Sequence, residues 1–242
     1  MSLEEIKILG ISLIGPILGS LIGIGIRPNE SLLFGMLSFA GGTMLGISFL
    51  QMIPESIVMG GTASCMLGVL VGVLVMMLMG EIFAGWERGG KSRHKLETAS
   101  LMMVAAIFLH NFPEGIAMAA GMHMSQNSKA MLIAIAIAIH DIPEGICSSA
   151  PYYYSTGKRL RAFLQSAATA LPVIAGFFMG KGLFSRINPY TMGMITATVA
   201  GMMIYVSCKE LIPTSQSGKT PKISMAALIL GIMLVLLLGS TA

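Results

Sequence analysis

The chain has 242 residues, is 55% hydrophobic and only 11% charged, and carries a formal net charge of +4. A soluble domain holds about 25% charged residues, so this composition excludes an ordinary soluble fold and belongs to the membrane class. The basic residues are spread over several short loops, which excludes nucleic acid as a partner.

Eight apolar stretches follow one another, at roughly 6–26, 32–57, 62–85, 99–122, 130–150, 159–181, 190–212 and 222–240. Each is near the roughly 20 residues that a helix needs to cross a bilayer. Backbone polar groups at that depth must be satisfied within the protein, so these spans are expected to be helices. A membrane barrel would alternate apolar and polar residues over segments of about ten, and no such pattern occurs.

Span 1 follows "MSLEEIK", which lacks a cationic leader, and is expected to be retained. Span 2 contains "AGGTMLGISF" and ends in "LQMIPES" with Glu55; span 3 ends near Glu81. The loop after it, "AGWERGGKSRHKLE", has one histidine, His94, which is expected to be solvated. Span 4 holds "HNFPEG" at 110–115, and span 5 holds "HDIPEG" at 140–145. Span 6 includes "SAATALPVIAG", and span 7 ends in "CKELIPTS" with Glu210. Cys65, Cys147 and Cys208 lie in separate apolar stretches without CxxC spacing, and read as packing residues.

Lys and Arg set the orientation. One set of loops holds Arg27, Arg88, Lys91, Arg93, Lys95, Lys158, Arg159, Arg161, Lys219 and Lys222. The other holds Lys7, Lys129, Lys181 and Arg186, a bias of ten against four. The first set is expected in the cytoplasm, with both termini outside.

The doubled motif carries the chemistry. A His at i and a Glu at i+4 share a helix face, so His110 pairs with Glu114, and His140 with Glu144. Two such faces meeting would surround a divalent cation with nitrogen and oxygen ligands. Asn111 and Asp141 point about 100° away from the histidines and could line an adjoining site. Pro113 and Pro143 remove a backbone donor, freeing the carbonyls of Leu109 and Ile139. Gly115 and Gly145 let neighbouring backbones approach closely. A structural hydrogen bond would explain one such helix. Two copies at matched depth favour a metal path. Glu55 is expected at the outer mouth and Glu81 and Glu210 at the inner one, so the acidic groups form a ladder across the membrane. "LQMIPES" and "CKELIPTS" echo each other in the second and seventh spans, which fits inverted units of spans 1–3 and 6–8 around a central pair.

These motifs resemble the ZIP family of divalent-metal transporters over essentially the whole chain, and the short loop between spans 3 and 4 resembles its compact prokaryotic, GufA-like branch. The resemblance implies a single integral-membrane transporter domain over 1–242, all-α with eight transmembrane helices in a 3+2+3 arrangement, in a prokaryotic cytoplasmic membrane. It implies a central site of His110, Glu114, His140 and Glu144, and a second of Asn111 and Asp141 with the two glutamates bridging. Met44 matches the methionine that span 2 of this branch often lends, and Glu81 and Glu210 match inner exit ligands. The branch commonly has a glutamate before the proline of span 6. Leu171 stands there instead, which weakens or removes the second site, and Gln165 is a poor substitute. Lys209, beside Glu210, is expected either to pair with a carboxylate or to snorkel to the headgroups.

The expected function is uptake of a divalent cation, zinc by family default. Imidazole and carboxylate without thiolate also suit Fe²⁺, Mn²⁺ or Cd²⁺. No organic cofactor is implied. Imidazole binds metal only when neutral, so uptake should fall as external pH drops through the histidine range. The competing expectation is an intramembrane zinc-dependent hydrolase, against which stands the absence of HExxH or a nucleophile elbow. The partners implied are the cation and the lipid bilayer. Assembly stays open, with a homodimer one option.

Overall fold

The computed structural model describes residues 2–25, 29–88, 104–105, 107–109, 111–112, 114–116, 118–119, 126–183 and 188–239. Helix starts follow local capping chemistry. Ser2 and Glu5 form a reciprocal capping box at the start of α1 (Leu3–Gly25), each side chain accepting the other's backbone N–H. Asn29 caps α2 (Glu30–Ile47) by accepting from Leu32 N, and Asn188 caps α8 (Pro189–Val206) by accepting from Thr191 N. The remaining helices are α3 (Ile53–Arg88), α4 (the helical residues described between 104 and 119), α5 (Gln126–Thr156), α6 (Arg159–Ala167), α7 (Leu171–Leu183), α9 (Ile212–Gln216) and α10 (Pro221–Gly239). Among the described residues there is no strand. The protein is a helical membrane protein.

Four described stretches are long and apolar enough to cross a bilayer: Leu3–Gly25, Glu30–Glu81, Arg159–Gly182 and Pro189–Gln216. The second has 52 residues, about 78 Å of helix at 1.5 Å per residue, against a hydrocarbon core of about 30 Å. The sequence predicts two elements with a connection here. The structure has almost no connection: helical geometry continues until Gly61, whose φ of 80° and ψ of 162° break it. A side chain would be strained at that φ, so glycine does the work of a loop. Past this break, Met66, Leu67, Leu70, Leu74 and Leu78 of α3 are exposed, an apolar stripe suited to lipid.

The helices pack into two sets. In the first, α1 runs along α5, α6 joins both, and α4 lies against α7. In the second, α3 runs along α8 and α2 along α10. The described residues of the two sets meet chiefly where α2 touches α5. There Cys147 Sγ lies 3.2 Å from the Met36 carbonyl. An open, largely apolar groove of about 510 Å³ lies beside that contact, lined in part by Leu32, Met36, Pro143 and Ile146.

Backbone contacts recur at fixed sequence offsets. Gly42 lies against the Leu228 carbonyl, and Gly201 against that of Val69; both glycines and both carbonyls are 159 positions apart. The same offset relates the contact of Gly72 with Thr198 O to that of Gly231 with Phe39 O. In the first set, Gly19 lies on the Ile142 carbonyl and Gly176 on that of Phe112. Their offsets are 157 for α1 to α7 and 30 for α4 to α5. A Cβ at any of these glycines would collide with backbone, so small residues set the helix spacing, as is usual where lipid supplies no hydrophobic drive between helices.

The two sequence-predicted Ile-Pro echoes take one shape. Five-residue π-helical turns, Ser48–Met52 and Ser207–Leu211, each directly precede an Ile-Pro. Each opens on a serine whose hydroxyl donates 2.8 Å to the carbonyl four residues back, Ser48 to Met44 and Ser207 to Met203.

Candidate metal site

The glycine that ends each copy of the motif does what the spacing predicts. Gly115 brings α4 onto the Val173 carbonyl of α7, and Gly145 brings α5 onto the Pro16 carbonyl of α1. Each glutamate just before these glycines is therefore carried on a helix fixed from one side. α5 continues as helix through Pro143 and Pro151.

Of the polar residues predicted for the site, three are fully buried. Asn111 is 0% exposed, Asp141 1% and Glu144 1%, while Glu114 is half-buried. Asp141 and Glu144 are three residues apart on α5, so they lie on one broad face of it. Ionised carboxylates removed from water need a compensating charge or hydrogen bonds, and in membranes they mark functional paths. His110 and Pro113 lie outside the described residues. His140 lies within α5, but its side chain is outside what the structure describes. The imidazole half of the predicted site is thus neither placed nor displaced.

Asn111 has a specific anchor. Its Nδ2 donates 2.6 Å to the Thr169 carbonyl, in the short 3₁₀ turn Ala168–Ala170 ahead of α7. Only the amide nitrogen can donate there, which fixes the amide's orientation. Its Oδ1 is buried and has no hydrogen-bond donor among the described residues. A buried acceptor without a partner is costly, and a cation is one group that would meet it. The neighbourhood is rich in hydroxyls. Ser20 Oγ donates to Ser166 Oγ at 2.7 Å, Ser148 and Ser166 share a short contact, and Ser166 reaches the Gly145 carbonyl at 3.1 Å. These bonds tie α1, α5 and α6 together one turn beyond Glu144.

The other predicted residues spread outward. Met44 is fully buried in a core that includes Met203, Ile107 of α4 and Cys147 of α5. Glu210 is half-buried in the second π-turn, with Cys208 and Lys209 exposed beside it. Glu55 and Glu81 are exposed. Burial thus differs among these acids: Glu55 and Glu81 are exposed, Glu210 is half-buried, and Asp141 and Glu144 of α5 are dry. Leu171 is 59% exposed, so position 171 turns to the outer surface of this helix. Ser166, Thr169 and Val173 of the segment are buried, and Thr169 bears the carbonyl that Asn111 uses. Sequence reasoning missed Thr169, the Ser20–Ser148–Ser166 cluster and Met203. The signal for Met203 was present, in a methionine four residues before the serine of the second Ile-Pro echo. Nothing local marks the serines, which meet only through tertiary packing.

Comparison with known proteins adds independent findings. The family model described as "ZIP Zinc transporter" matches residues 86–239. The chain is 32% identical over 244 residues to the zinc transporter ZupT of Chlorobaculum parvum, covering 90% of each protein. It is 34% identical over 218 residues to the ZupT zinc transporter of Escherichia coli O127:H6, covering 82% of this chain and 81% of that one. With ZupT of Corynebacterium glutamicum it shares 32% identity over 226 residues, 84% and 85% of the two chains.

Proposed function

The chain belongs to the ZIP family of zinc transporters, and from that premise we propose that it takes up a divalent cation, zinc first, into the cytoplasm through an intramembrane site on α4 and α5. Membership makes it a compact prokaryotic transporter of divalent metal and not an enzyme; the zinc-dependent hydrolase finds no support in the family or in its named relatives.

The proposed central ligands are His110, Glu114, His140 and Glu144, with Asn111 and Asp141 at an adjoining position and Met44 alongside. The observation that carries the site is the buried group of Asn111, Asp141 and Glu144 with the unmet Asn111 Oδ1. Such a group suits a hard or borderline divalent ion, which accepts oxygen and imidazole ligands. Glu210 and Glu81 serve the inner exit. Fe²⁺, Mn²⁺ and Cd²⁺ are candidate alternative substrates.

The whole chain is taken as one transporter domain of eight spans, in a 3+2+3 arrangement with inverted repeats around α4 and α5. The recurring offsets of 157, 159 and 30 and the paired π-turns support this. The charge bias supports extracytoplasmic termini in a prokaryotic cytoplasmic membrane. On that orientation the groove beside Pro143 opens toward the cytoplasm, which supports inward release. A homodimer is compatible with this arrangement.

The test is zinc uptake into proteoliposomes by the wild-type chain and by Glu144→Ala, with folding checked by thermal unfolding in detergent. Uptake by the wild type and none by the variant is expected. Equal uptake by a folded variant would remove Glu144, and with it the site, from the path.

A further inference from the structure

Met203 was not among the predicted ligands, yet it stands where the contacts of α2 and α8 repeat. Met44 and Met203 are 159 positions apart, the offset that relates Gly42 to Gly201 and the Ser48 turn to the Ser207 turn. Both methionines are essentially fully buried, at 0% and 1% exposure. Both belong to the core that Ile107 of α4 and Cys147 of α5 complete. Ile107 is one turn before Asn111 and Cys147 one turn after Glu144. The two thioethers therefore share one apolar core with residues of both site-bearing helices.

Packing alone is the ordinary role of a buried methionine, so the contrast within this chain matters. Of the 22 methionines, just one other pair has the same offset, Met66 and Met225. Those two are 64% and 50% exposed, outside any buried core. At Met44 and Met203 the backbone is also special. Each residue's carbonyl is taken by a serine hydroxyl just where a π-turn begins. Such turns inside helices frequently mark functional sites. A thioether is a soft, neutral ligand that favours soft cations over hard ones.

We infer that Met203 and Met44 form a paired thioether wall at the cation path, and that Met203 is a second determinant of metal selectivity, favouring soft divalent ions such as Cd²⁺ over hard ones such as Mn²⁺. The assignment rests on the cation passing at α4 and α5. Leucine conserves volume and removes sulfur, so Met203→Leu is the variant to use, alone and with Met44→Leu. Initial rates of Cd²⁺, Zn²⁺ and Mn²⁺ uptake would be measured in proteoliposomes. Met203→Leu is expected to lower the Cd²⁺-to-Mn²⁺ ratio by about tenfold, the low end of what loss of a supporting group costs a metal site, with Mn²⁺ uptake retained. X-ray absorption at the cadmium edge should show sulfur scattering that decreases in the double variant. A parallel fall for all three metals would make Met203 a packing residue and overturn the inference. So would unchanged ratios with unchanged cadmium–sulfur scattering. Failure of the underlying path is read separately, because it appears as full uptake of every metal by Glu144→Ala.

Discussion

The two helix sets are built alike and filled differently. Both are spaced by glycines seated on carbonyls, at offsets that repeat from one half of the chain to the other. In the first set a buried amide and two buried carboxylates, Asn111, Asp141 and Glu144, occupy the interior. In the second, Leu33, Leu37, Met44, Val199, Met203 and Val206 occupy it. Its acids, Glu55, Glu81 and Glu210, lie exposed or half-buried near the ends. The same packing rule thus supports a set that holds charge and a set that supplies a wall. Desolvating a charge is expensive unless it has a partner, so concentrating the charges in one set leaves the other free to pack as lipid-soluble surface.

The largest test of this division is a pair of acids. Loss of even a group that supports a metal's ligands costs about 10–100-fold in affinity or activity, and loss of a ligand itself should cost at least the upper end of that range. Glu144→Ala should therefore drop zinc uptake by about a hundredfold or more. Glu81→Ala, at a solvated end, should change it within about tenfold. Equal losses in initial rate would erase the distinction between the sets.

Next comes the contact between them. Cys147 and the Met36 backbone adjoin across α5 and α2, so Met36→Cys should permit oxidative cross-linking. If the sets shift against each other during transport, cross-linked protein stops taking up zinc and reduction restores it. Uptake undiminished at complete cross-linking would instead describe a static path through fixed helices.

Packing should treat the sets equally. Gly145→Leu in the first and Gly42→Leu in the second each force a side chain onto a backbone carbonyl. Overpacking of this kind costs about 1–3 kcal/mol or more, seen as comparable falls in Tm. A large fall in one alone would show that the repeated contacts are not energetically equivalent.

The smallest effect belongs to the hydroxyl cluster. Ser166→Ala removes the shared partner of Ser20 and Ser148. Inter-helical hydrogen bonds in membranes average about 0.6 kcal/mol, so a slight drop in Tm with uptake preserved is expected. A severe transport defect at normal stability would give these serines a part in the path.

Much of this protein was legible in its residues. Apolar length marked a helical membrane protein, because a bilayer demands about 20 such residues per crossing. The repeated His-x-x-Pro-Glu-Gly marked a candidate site, because ionisable groups at depth are too costly to be casual. The glycine of that motif announced a close helix contact, and Gly115 and Gly145 make it. Other features had no local signature. Gly61 replaces a loop because its φ is positive, which composition does not reveal. Leu171, at the start of α7, is exposed while Thr169, in the turn before it, is buried, a difference that no local pattern announces. Met203 had a signal in the second Ile-Pro echo, but only packing placed it in one buried core with Met44. The sequence by itself determined which helices form and which residues are chemically able to hold a cation, since both follow from side-chain hydration and period. The tertiary structure alone decided which of those residues share an interior, because helix rotation and pairing are set by which small residues seat against which carbonyls.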